Sequence, residues 1–231
     1  MNKNTTQNGN AIALILIAVA LFAALGYAFS NTSRTSTSFI TDEEVHAYAN
    51  QIIAYGTDVK SAVKRLQLRG CSDTEISFEN PISTINYTNA NAPSDNSCHV
   101  FDSNGGGLQF QQPNNASSAP SFIGNLAITG HGETCSNASC ADLFMAIELS
   151  NTASAAAQAD RICANINQRL SHSATLKDAV FGDDTQGSWQ FLGIYNYNST
   201  VNIAGINGLK NYCVRSASVN NITYHQILIA R

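Results

Sequence analysis

Apolar and polar positions divide the chain into three regimes. From Ala11 through Phe29 every position is apolar, glycine or tyrosine, and no polar stripe interrupts the run. At a helical rise of about 1.5 Å per residue the run reaches about 28 Å, close to the hydrocarbon thickness of about 30 Å in a bilayer. A helix packed on the surface of a globular domain keeps one polar face. The pattern therefore predicts a transmembrane helix over 10–30, preceded by a polar leader at 1–9. Ser30 to Ser38 is small and polar, with low helix propensity, and predicts a flexible hinge at 31–40.

The second regime has a helical period. Thr41 followed three positions later by Glu44 is a capping box, and Asp42, Glu43 and Glu44 suit the positive end of a helix. Val45, Tyr48, Ala49, Ile52, Ile53, Val59, Ala62, Val63 and Leu66 then recur at spacings of three and four. An amphipathic helix is expected up to Arg69, with Gly70 as its stop.

Beyond Gly70 the period falls to two. Thr74–Glu79, Leu108–Phe110, Phe122–Ile128, Leu143–Leu149, Trp189–Tyr195, Val201–Ala204, Tyr212–Arg215 and Ile222–Ala230 are strand candidates. Gly105-Gly106-Gly107 and Gln111 to Ser121 read as turn and loop. A further helix is expected over Ala153–Leu170, with Ile162, Cys163, Ile166 and Leu170 on its buried side. The expected fold class is α+β. A transmembrane helix, an amphipathic helix and a mostly antiparallel sheet carrying one further long helix follow in order, residues 41–231 forming an exported head.

Cysteine usage changes the picture of compartment. All six cysteines, Cys71, Cys98, Cys135, Cys140, Cys163 and Cys213, lie after the apolar run. An even number on that side predicts a disulfide framework in an oxidising compartment. Sequence order favours Cys135–Cys140, with Cys71–Cys98 and Cys163–Cys213 as the remaining neighbours; free buried thiols are the alternative. Lys3 and Arg34 flank the apolar run almost evenly, so charge barely orients it. The cysteines place the C-terminal side outside the cytoplasm. Ala28-Phe29-Ser30 also offers a small-x-small signal cleavage site.

The polar leader Met1-Asn2-Lys3-Asn4-Thr5-Thr6-Gln7-Asn8-Gly9 ends in glycine immediately before the apolar run. It resembles a type IV prepilin leader. The resemblance implies cleavage after Gly9, a mature N-terminus at Asn10, and a helix that holds the subunit in the inner membrane and later packs against the helices of other pilin-like subunits. Pilins of that family usually carry Glu at the fifth mature position, where this chain has Leu14, and some minor, tip-type pseudopilins lack it. The stretch from Asn10 to Phe22, with the Ser/Thr/Arg segment and the Gly-rich turn after it, is also similar to bacterial pilin-like proteins to which no function is attached.

Composition and motifs restrict the chemistry. The chain has 231 residues, 12% of them charged, with a net charge of −4. Its basic cluster is limited to Lys60, Lys64, Arg65 and Arg69, so no nucleic-acid partner is expected. Gly105-Gly106-Gly107 lacks the Gly-Lys-Ser/Thr of a phosphate-binding loop. His131-Gly132-Glu133-Thr134-Cys135 gathers an imidazole, a carboxylate and a thiol, but Cys135 is assigned to a disulfide. Asp183-Asp184 supplies too few oxygens for calcium. Trp189, Tyr195, Tyr197 and Tyr212, with Asn196, Asn198, Asn202 and Asn207, fit either a carbohydrate-stacking surface or the core of a small sheet. No catalytic, cofactor-binding or metal-binding residue is assigned, and no cofactor is expected. Two readings follow: a non-enzymatic pilin-like or minor pseudopilin-like subunit, and a single-pass anchored adhesin or envelope binding module. Both have the bilayer as partner, with the head on its periplasmic or extracellular side.

Overall fold

The computed structural model describes residues 14–24, 40–128, 141–150, 153–175, 178–179, 190–195, 199–201, 207–216 and 221–231. The chain divides into two compact units, Met1–Ile40 and Thr41–Arg231. In the first, residues 14–24 are helical (α1) and lie within the expected membrane span. The rest of that span, the leader 1–9 and the hinge up to residue 39 lie outside the described residues. Among the described residues no helix is long and apolar enough to cross a membrane.

The second unit is α+β and opens with α2, Asp42–Leu68. Thr41 and Glu44 close the capping box: Glu44 N donates to Thr41 Oγ1 at 3.2 Å, and Thr41 N donates to the Glu44 carboxylate at 2.7 Å. At the other end Arg69 caps the helix and Gly70 takes φ +100°. That left-handed turn lets Cys71 N donate back to Leu66 O and Gly70 N to Gln67 O, a glycine-terminated helix end. The periodic stripe is the buried face: Val45, Ala49, Ile52, Val59, Ala62, Val63 and Leu66 are all in the core.

Six strands form one sheet: β1 Ser121–Ile128, β2 Asp142–Ser150, β3 Asp178–Ala179, β4 Ser199–Val201, β5 Asn211–Ser216 and β6 Ile222–Ile229, in the order β3-β5-β6-β2-β1-β4. The four central strands pair antiparallel. The two short outer strands pair parallel, β3 to β5 and β4 to β1. The second long helix, α3 at Ala153–Arg169, packs with α2 and against the sheet. Contact with α2 is close at Gly56, where an added Cβ would sit 2.9 Å from the Tyr224 hydroxyl of β6.

Both flanks of the central four strands are closed beyond the short outer strands. On β5, β3 pairs at Arg215 and Ser216. Further along the same strand, Asn167 of α3 donates Nδ2 to Cys213 O at 2.9 Å and accepts from Cys213 N at 2.8 Å. His172 Nε2 lies 3.0 Å from Asn211 O. On β1, β4 pairs at Leu126–Ile128, while Phe122 N donates to Tyr87 Oη at 3.1 Å and Phe122 O accepts from Phe191 N at 2.9 Å. Side chains, and on β1 the main-chain N of Phe191, thus satisfy ladder groups that a longer neighbouring strand would otherwise take.

Three strand expectations fail for one physical reason. Thr74–Glu79 and Leu108–Phe110 are not strands, and the described part of Trp189–Tyr195, residues 190–195, contributes only an isolated bridge, Gln190 to Ile123. Ile76, Phe78 and Phe110 are buried as their alternation requires, but their backbone partners are single bridges, turns and side chains. Ser77 bridges only to His99. Asn89 donates Nδ2 to Thr74 O and Ile76 O, both at 2.8 Å. Phe78 stacks on Phe122 with ring centroids 4.0 Å apart, and Phe101 and Phe191 join the same cluster. Residues 71–120 therefore form an aromatic-centred loop layer rather than extra strands.

Candidate functional site

The described surface of α1 is apolar all the way round. Leu14, Ile15, Leu16, Ile17, Val19, Leu21 and Phe22 are exposed, Phe22 at 77% of its full area. At about 100° per residue these seven leave no angular gap wider than about 100°. No side of the helix is polar, so no single groove would cover it. An apolar solvent, or neighbours on several sides, would. Gly9 and Asn10, the residues of the expected processing site, lie outside the described residues.

The framework cysteines divide similarly. Cys71 and Cys98 are bonded, with Cα atoms 5.8 Å apart, and Cys163 is bonded to Cys213, with Cα atoms 5.4 Å apart. Cys135 and Cys140 lie outside the described residues, as do His131 and Glu133. Cys163–Cys213 ties α3 to β5 in the core. Cys71–Cys98 ties the end of α2 to the loop layer, where Arg65 Nη2 donates to Gly106 O at 2.8 Å and Arg69 Nη1 to Gly105 O at 2.6 Å. Gly105 and Gly106 are buried against the backbone of His99 and Val100, leaving no room for a Cβ. Gly105 and Gly106 thus form a close-packed turn that receives the basic end of α2, while Gly107 is exposed. The two arginines of that cluster are engaged in holding it.

Of the aromatic set, Tyr195 and Tyr212 are described, and both are core residues. Tyr195 is 7% exposed and packs on Phe191 with Arg231 over its ring; Tyr212 is fully buried. The two do not form an exposed stacking face. Asn207 is exposed, whereas Trp189, Tyr197, Asn196, Asn198, Asn202 and the Asp183-Asp184 pair lie outside the described residues. Among the described residues no group of three or more His, Cys, Asp or Glu could hold a metal ion.

The sequence reading missed one buried polar cluster. His225 of β6 lies in the core with Nδ1 3.2 Å from the Tyr212 hydroxyl and its ring 5.3 Å from that of Phe144. Burial pushes its pKa down to about 3 and raises that of Tyr212, so at neutral pH both groups are uncharged. A histidine inside an apolar strand pattern is the signal that would have found it. The ion pair Arg215–Asp160, at 2.6 Å to both carboxylate oxygens, likewise joins β5 to α3.

Comparison with protein-family models, curated proteins and solved structures finds no match to this chain.

Proposed function

We propose that the chain is a non-enzymatic, membrane-anchored subunit of pilin-like or minor pseudopilin-like type, serving a surface filament or secretion apparatus. One observation carries this reading: the described residues of α1 expose large apolar side chains around the whole helix. Burying each is worth about 1.5–3 kcal/mol, so this surface favours leaving water, first for the inner membrane and then for the helices of other subunits. The polar leader ending at Gly9 adds a processing step before assembly. The head supports the same division of labour. Its central strands are flanked by short parallel strands and hydrogen-bonding side chains, which leaves little strand edge for growth by sheet addition. In this reading residues 41–231 face the periplasm or the cell exterior and set partner choice.

Intact mass and N-terminal sequencing of the membrane-bound protein test the proposal. The mature chain begins at Asn10, and Gly9→Ala leaves the leader uncut.

A second reading, a single-pass anchored adhesin or envelope binding module, is favoured by Leu14, which stands where the pilin family usually has Glu. It predicts a membrane-bound protein that still starts at Met1, a result incompatible with the prepilin reading.

A further inference from the structure

The two described disulfides occupy opposite environments. Cys163 and Cys213 are 0% and 1% exposed, enclosed between α3 and β5. Cys71 is 9% exposed and, with Cys98, lines an open cleft of about 430 Å³ beside the end of α2. Arg69, Gly70, Ser97 and Asn104 complete much of its wall. An added Cβ on Gly70 would meet nothing within 4 Å, so the wall is uncrowded at the residue before Cys71.

Thiol–disulfide exchange needs a thiolate to reach one sulfur while the other leaves, and both demands favour this cleft. The cleft is open, and its wall is uncrowded at the residue before Cys71. Arg69 is the cation among the residues lining this cleft, and positive charge near a cysteine favours the thiolate over the thiol. Glu75, a carboxylate of the same wall, is turned onto Ser72, accepting from its N at 2.7 Å and its Oγ at 2.8 Å. These hydrogen bonds hold its pKa below the usual carboxylate value.

We infer that, of the two described disulfides, Cys71–Cys98 is the exchange-competent bond, that its cleft receives a dithiol reductant, and that Cys163–Cys213 is a static brace. A thiolate of the dithiol attacks Cys71 Sγ. The Cys71–Cys98 bond breaks, a mixed disulfide forms at Cys71, and Cys98 leaves as a thiolate that takes up a proton. The second thiol of the reductant, deprotonated, then attacks its own partner sulfur. Cys71 is released and protonated, and the reductant becomes a disulfide; two electrons and two protons have passed to the head. The loop layer keeps its other ties, Arg65 to Gly106, Arg69 to Gly105 and Val100 N to Ser77 O at 2.9 Å. The cysteines therefore stay placed to re-form the bond. This inference does not depend on the role of α1.

The test is timed reduction of the full chain in detergent micelles under native conditions, with N-ethylmaleimide trapping and peptide mass spectrometry. One arm uses dithiothreitol. The other uses a thioredoxin whose resolving cysteine is replaced by serine. The expected result is labelling of Cys71 and Cys98 at least about tenfold faster than Cys163 and Cys213, the latter pair reacting only after denaturant is added. A thioredoxin–Cys71 mixed disulfide assigns the cleft to a dithiol protein; reaction with dithiothreitol alone assigns it to small thiols. Equal rates for the two pairs, or prior opening of Cys163–Cys213, overturn the inference. Circular dichroism of Cys71→Ser/Cys98→Ser should show a folded head, and its loss would refute the claim that the other ties hold the loop.

Discussion

α2 and the described part of α1 are both built from Ile, Val, Leu and Ala, yet they stand in opposite relations to water. α2 gathers most of these residues on one stripe and buries Val45, Ala49, Ile52, Val59, Val63 and Leu66 within the head, leaving Leu68 exposed at its end. α1 exposes Leu14, Ile15, Leu16, Ile17, Val19, Leu21 and Phe22. The difference lies in both apolar content and its placement: all 11 described residues of α1 are apolar, against 13 of the 27 in α2, where most fall on one face. Polar residues at about every second position, gathered on one face, let a helix close a core against one sheet. Without them, a helix needs an apolar surrounding. The head is a self-contained packing problem, while α1 derives its stability from whatever surrounds it.

The largest effect separating the two helices comes from matched truncations. Ile52→Ala, at a position with no exposure, should lower the unfolding free energy of the head by about 2–5 kcal/mol. Ile17→Ala should leave head unfolding within about 0.5 kcal/mol of wild type. Urea titration of the full chain in micelles, read by near-ultraviolet circular dichroism, measures both. Equal losses would mean that α1 belongs to the core of the head.

A second contrast is in proton linkage. The described residues of α1 carry no titratable side chain, whereas the head buries His225 with its pKa pushed down to about 3. Above a pH of about 6.5, the ordinary histidine value, folded and unfolded chains both hold a neutral imidazole, and His225 adds no pH dependence. Between about 6.5 and about 3 the unfolded chain binds a proton that the folded chain refuses. Stability therefore falls on acidification by about 1.4 kcal/mol per pH unit from this group and levels off below that window. His225→Gln should flatten the difference curve, and deletion of residues 1–40 should not. A wild-type profile parallel to that of His225→Gln between pH 6 and 4 would show that the imidazole protonates inside the fold.

The smallest effect concerns the start of α2. Thr41→Ala removes a hydroxyl that caps Glu44 N and should cost about 1 kcal/mol. A shift in the urea midpoint without change of slope would check it. No shift would mean that the Glu44 carboxylate suffices to hold the helix start.

Sequence legibility follows the range of the interactions. α2 was readable from Thr41, Glu44 and Gly70 because caps and periodicity are local. α3 ends at Arg169, one residue short of the expected Leu170, where Ser171 takes φ +62° and His172 N returns to Asn167 O. β1, β2, β5 and β6 were readable as short apolar runs, β2 and β6 being buried along nearly their whole length. Cys71–Cys98 and Cys163–Cys213 were readable as neighbours in order. The loop layer was not, because Phe78 alternates like a strand residue while its partners Phe101, Phe122 and Phe191 are distant in sequence. β3, with two residues, is too short to show any period. Nor could local pattern distinguish parallel from antiparallel pairing at the sheet flanks, or place Asn167 on Cys213. At the candidate site the apolar run was plain, as was Gly9 before it. The unequal exposure of the two disulfides depends on tertiary packing and was invisible.

Alkaline carbonate extraction of cell membranes addresses the role of α1 most directly. Wild-type protein should stay with the pelleted bilayer. Ile17→Lys/Leu21→Lys, which costs about 5–7 kcal/mol of insertion free energy if both charges sit near the bilayer centre, should pass to the supernatant with a head that unfolds at the wild-type urea midpoint. Wild-type protein recovered in the supernatant, or a doubly charged variant that still pellets, would contradict the assignment of α1 as the membrane and assembly element.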